Sequence, residues 1–65
     1  MKAPSVESVV MAETTTSAQQ RVRVLITALD RETAAGWLVY GVRVGTSSRR
    51  GVGGLPRPAL YLVPA

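Results

Sequence analysis

The chain has 65 residues, no Cys and no His, and eight Lys and Arg against four Asp and Glu, for a net charge of +4. This composition excludes a disulfide framework, a thiolate or imidazole metal site, and a Ser–His or Cys–His nucleophile. The length permits one domain, and a domain this small buries only about 60% of the surface of its unfolded chain, so a covering partner or a second copy is expected to support it.

Residues 1–18 read as a flexible or weakly structured segment. Val6, Val9 and Val10 have helical spacing behind Ser5, yet Val is a weak helix former. A short helix, a short strand and disorder all stay open there. The run Thr14-Thr15-Thr16-Ser17 reads as a polar linker. Residues 19–65 form the expected β-rich domain.

Residues 21–29, RVRVLITAL, begin with strict alternation and are rich in β-branched side chains, which predicts a strand. Residues 30–36 predict a turn, with Asp30 and Glu32 as turn carboxylates rather than an acid/base pair. Residues 37–44, WLVYGVRV, predict a second strand, antiparallel to the first across a loop of about five residues. The preferred register sets Ala28 against Leu38, Ile26 against Tyr40, Val24 against Val42, Val22 against Val44 and Arg23 against Arg43. Slippage by one residue would bring an arginine among the apolar side chains. Residues 45–58, GTSSRRGVGGLPRP, predict a long loop. Residues 59–63 predict a third strand, with Pro58 and Pro64 suggesting an edge position. The expected fold class is therefore mainly β: a small three-stranded antiparallel meander built on a hairpin over residues 21–44, with a flexible or short-helical N-terminus.

Two surfaces follow from that meander. Val22, Val24, Ile26, Leu38, Tyr40, Val42 and Val44, with Trp37, form an apolar interface. A three-stranded sheet cannot cover such a face alone, so a homo-oligomer or a protein partner is expected. Arg21, Arg23, Arg43, Arg49, Arg50 and Arg57 gather at one end as an anion- or partner-binding cluster. Arginine's planar fork suits carboxylate and phosphate.

Catalytic motifs fail in detail. The sole lysine, Lys2, is terminal, and Ser47 and Ser48 lie in the loop. The segment Gly51-Val52-Gly53-Gly54 lacks the Lys-Ser/Thr of a phosphate loop, and Pro56 replaces the last glycine of a dinucleotide fingerprint. In the preferred register the aromatics sit away from the arginines, which argues against a base-stacking platform, although phosphate-only nucleic-acid binding stays open. The expectation is a non-catalytic, basic interaction protein with no metal and no cofactor, docking on an acidic surface. A subunit of a larger viral or bacterial assembly is one such role, and a small phosphate-contacting nucleic-acid-binding protein is the alternative. No signal-peptide pattern or apolar run of membrane-spanning length is present, so the expected location is the cytoplasm.

Overall fold

Period-two apolar alternation is the strongest pattern in the chain, and each segment that carries it becomes a strand. The computed structural model describes residues 2–45 and 57–65. Four strands follow in order: β1 (Val9–Thr14), β2 (Arg21–Thr33), β3 (Gly36–Arg43) and β4 (Ala59–Pro64). All neighbours are antiparallel, and the sheet closes on itself as a β1-β2-β3-β4 barrel. The structure thus corrects the three-stranded meander to four strands. Of the helix, strand and disorder left open for the N-terminal segment, residues 9–14 take the strand, which replaces the flexible or short-helical N-terminus of the expected fold; Ala12 and Thr14 are buried in it while Val9 and Met11 are exposed. Val9 and Val10 keep their χ1 preference more readily in a strand than in a helix.

The hairpin over β2 and β3 exists, but its register differs from expectation. The turn is Ala34-Ala35, so β2 runs on through Asp30 and Glu32, which lie in the strand and not in a turn. Val24 pairs with Arg43 instead of Val42, Ile26 with Gly41 instead of Tyr40, and Ala28 with Tyr40 instead of Leu38. Beside the tight turn the register is three residues from expectation, and two shifts, between Leu29 and Arg31 and between Ile26 and Ala28, reduce the difference to one at Val24 and Arg43. Three features hold this geometry. The Thr33 hydroxyl donates to the Gly36 carbonyl at 3.0 Å and accepts from the Ala35 N–H at 3.2 Å, closing the turn. Gly36 has φ +143°, and a Cβ there would overlap the Val63 carbonyl oxygen. A Cβ on Gly41 would lie 2.6 Å from the Leu25 carbonyl oxygen, so the strands approach closely only because this position is glycine.

The shifted register changes which side of β3 faces inward. Val22, Val24 and Ile26 of β2 now share the interior with Trp37 and Val39 of β3, whereas Tyr40 is exposed and Leu38 and Val42 are half-buried on the outside. Arg43 avoids the core although it stands opposite buried Val24, because it is the last residue of β3 and extends past the packed layer. Ala12, Val24, Ile26, Val39 and Tyr61 form the core, with Val10, Val22, Trp37 and Val63 packed against it.

Closure with so few strands requires a large stagger. The pairing path Arg21–Glu13–Leu62–Leu38–Arg31 circles the barrel and returns to β2 ten residues further on. With about 3.3 Å per residue and about 4.8 Å between strands, that stagger tilts the strands by on the order of 60°. The apolar face expected to need an external lid is covered by the barrel itself. Closure buries Val24 and Ile26 and packs the partly buried Val22 against them.

Candidate protein-interaction surface

The arginines are distributed by strand direction. The start of β2, the end of β3 and the start of β4 lie at one end of an antiparallel barrel, so Arg21, Arg23, Arg43 and Arg57 belong to that end, and all four are exposed. Arg49 and Arg50 lie outside the described residues. The structure does not place Arg23 opposite Arg43. Arg23 pairs across β1 with Met11, and its carbonyl accepts from the Val44 N–H at 3.0 Å. The one-residue register shift puts the two side chains on opposite faces of the sheet, which removes the like-charge contact. Arg21 stands beside Glu13, with Nε 3.8 Å from Oε2; the arginine side chain is 76% exposed and the carboxylate 25%. So exposed a pair adds little stability and leaves the guanidinium open to a competing anion.

The expected apolar interface is split by the wall of the barrel. Val22, Val24, Ile26 and Trp37 belong to the interior side. Outside, Leu38 is paired with Leu62 and Tyr40 with Leu60, while Val42 and Val44 are half-buried. Sequence reasoning missed Val9 and Met11 as surface residues; they are 50% and 53% exposed, on the outer face of β1. Their period-two alternation with buried Ala12 and Thr14 is the signal that could have placed them there.

Met11 also borders an opening in the barrel. The β1–β4 seam has only two pairs, Glu13 with Leu62 and Thr14 with Tyr61. Even-numbered residues of β1 direct their backbone groups at β2: the Ser8 carbonyl accepts from Ile26 N–H, and Thr14 N–H donates to the Gln20 carbonyl, each at 3.0 Å. By alternation, Val9, Met11 and Glu13 face β4. In β4 the Leu60 carbonyl accepts from the Thr15 hydroxyl on the β1 side, and the Ala65 N–H donates to the Ala35 carbonyl on the β3 side. Leu60, Leu62 and Pro64 therefore face β1. One of the two bonds of the next pair, Met11 with Pro64, would need an N–H from Pro64, which proline lacks. The ladder stops there. A cleft of about 210 Å³ opens at this point, lined by Met11, Ala12, Glu13, Arg21 and Pro64.

That volume is below the range of about 300–1,000 Å³ in which small-molecule sites usually fall, and it suits one inserted side chain. Among the described residues no group of His, Cys, Asp or Glu could hold a metal ion, and no helix is long and apolar enough to cross a membrane. Comparison of the chain with protein-family models, with curated proteins and with solved structures returned no match.

Proposed function

We propose that this chain is a cytoplasmic, non-catalytic interaction protein that docks on an acidic protein surface, as one component of a larger assembly. The observation that carries this reading is the outer face of β1 and β2, where exposed Val9 and Met11 adjoin exposed Arg21 and Arg23. Met11 and Arg23 are direct cross-strand neighbours, as are Glu13 and Arg21. Apolar side chains beside arginines combine contact area with carboxylate recognition, the pairing that recurs in protein interfaces. The net charge of +4 favours encounter with acidic partners.

Fluorescence anisotropy with two probes tests the reading. One probe is a labelled peptide alternating apolar and glutamate residues, and the other is a labelled DNA oligonucleotide. The expected result is saturable peptide binding that falls about tenfold or more in an Arg21→Glu/Arg23→Glu variant, corresponding to about 1.4 kcal/mol or more. Tight oligonucleotide binding with a steep salt slope, and no peptide binding, would overturn it in favour of phosphate recognition.

A further inference from the structure

We propose that the outer flank of β3 and β4 is a self-association surface, on which two copies of this chain pack about a two-fold axis. It is a different surface from the β1–β2 face that carries the acidic-partner reading.

Three observations support it. The first is composition. Trp37 and Val39 of β3 pair with Val63 and Tyr61 of β4 on the interior side, so the residues between them stand outside: Leu38 against Leu62 and Tyr40 against Leu60. Tyr40 is 41% exposed and the three leucines are half-buried. Residues 36–42 and 59–64 contain no charged side chain. Strands apolar on both faces are typically those covered on both sides, whereas a wall facing water alternates apolar with polar. Among the described residues the charges in outward positions, Glu13, Arg21, Arg23 and Arg31, stand on β1 and β2.

The second is the register. Arg31 pairs with Leu38, Leu38 with Leu62, and Leu62 with Glu13, which makes one outward row, Arg31–Leu38–Leu62–Glu13. At the strand tilt of this barrel the row climbs along one flank and spans three interstrand spacings, about 14 Å. Beside it runs a second row, Ala28–Tyr40–Leu60.

The third is charge complementarity, and it selects the occupant. The first row has an arginine at one end, a glutamate at the other and two leucines between. Turned by a two-fold axis, the same row reads backwards. Leu38 then meets Leu62 of the second copy, Tyr40 meets its Leu60, and Arg31 meets its Glu13, each contact occurring twice. Sheets packed face to face lie about 10 Å apart, backbone to backbone, so side chains from the two copies meet between them and the charges pair at contact distance. Arg21 Nε lies 3.8 Å from the Glu13 carboxylate, which has acceptor sites for a second guanidinium. A partner charged with one sign would pair with one end of the row and oppose the other.

Sedimentation equilibrium on the full chain reads the particle mass. Two short rows make a small interface, so the expected result is a rise from 6.9 kDa towards twice that value over a concentration range of about 10–100 μM. Dilute protein is monomeric, and its melting or urea titration reads the monomer alone. Arg31→Glu sets carboxylate against carboxylate at both ends, and Glu13→Arg sets guanidinium against guanidinium. Each variant alone is expected to dimerise about tenfold more weakly, or worse. Mixing the two is the decisive experiment. In the mixed pair both ends again join opposite charges, and dimerisation is expected to return to within about threefold of the parent. A merely structural effect of either substitution is not repaired by mixing. Tyr40→Arg, which adds a charge at an exposed position of the second row, is expected to abolish the dimer and leave the circular dichroism of dilute protein unchanged.

A mass of 6.9 kDa at every concentration up to about 1 mM overturns the proposal. So does a dimer indifferent to Arg31→Glu, Glu13→Arg and Tyr40→Arg, or a mixture no tighter than its two components. Peptide binding through Arg21 and Arg23 is measured separately and stands or falls on its own.

Discussion

Replacing Gly36 with alanine tests whether the tight β2–β3 turn sets the register of the whole barrel. Two costs add. A non-glycine residue held at φ +143° carries a backbone penalty of about 1–3 kcal/mol. The new methyl group also overlaps the Val63 carbonyl oxygen and crowds the Ala65 nitrogen at 2.8 Å and the Pro64 Cα at 2.9 Å, all of them backbone atoms. The end of β4 must then move away, which weakens the Gly36–Pro64 and Trp37–Val63 pairs and the 3.0 Å bond from Ala65 N–H to the Ala35 carbonyl. Lost bonds of about 0.5–1.5 kcal/mol each bring the sum to about 3–5 kcal/mol. A chain of this length has roughly 3–10 kcal/mol of stability in all. The expected outcome by circular dichroism is a melting temperature lower by about 12 °C or more, or a chain already unfolded at 25 °C as a rough working temperature. Gly45→Ala is the control: it also has positive φ, at +84°, but among the described residues no atom lies within 4 Å of the added Cβ. It should cost about 1 kcal/mol, the dihedral penalty alone. A Gly36→Ala protein that melts within about 4 °C of the parent, less than the shift from 1 kcal/mol, would refute the reasoning.

Ile26→Ala should destabilise by about 2–5 kcal/mol in urea titration, because Ile26 is 0% exposed at the centre of the core. Tyr40→Ala, by contrast, should change the urea midpoint little, since the side chain is 41% exposed on the outer face; a large loss would put Tyr40 back in the core. Thr14→Val should cost about 1 kcal/mol and speed exchange of the Gln20 amide, since the Thr14 hydroxyl accepts from Gln20 N–H at 3.1 Å and donates to the Ala18 carbonyl at 3.2 Å. Glu13→Gln should leave the melting temperature nearly unchanged, because the partner arginine is 76% exposed; a clear loss would show that the pair matters more than its geometry implies.

Much of the secondary structure was legible locally. Alternation in residues 21–29 marked Val22, Val24 and Ile26 as one inward set, and the structure keeps all three on the interior side. The third expected strand, residues 59–63, is β4. The arginines at the starts and ends of strands followed from the same reading, and Arg21, Arg23, Arg43 and Arg57 are exposed at one end of the barrel. The pairing of Arg23 with Arg43 failed because it depended on a loop of about five residues where the chain makes a two-residue turn. A residue's face is set by parity, so a shift of one inverts every assignment on the partner strand. That is why Leu38, Tyr40 and Val42 moved outside.

Alternation and β-branched side chains by themselves determined that this chain forms strands, and the sequence alone shows that it holds no His and no Cys. Only the tertiary structure decided that the strands close into a barrel. Closure joins Glu13 to Leu62 and Thr14 to Tyr61, residues nearly the whole chain apart, and no local pattern encodes a pairing at that separation. It also decided what Pro64 means. In the sequence it marks an edge; in the barrel it faces β1 just past the last β1–β4 pair, Glu13 with Leu62, and lines the cleft there. The physical reason is the same in both cases. Strand formation depends on neighbours one or two residues away, whereas a strand's partner depends on stagger and backbone direction summed around the whole barrel.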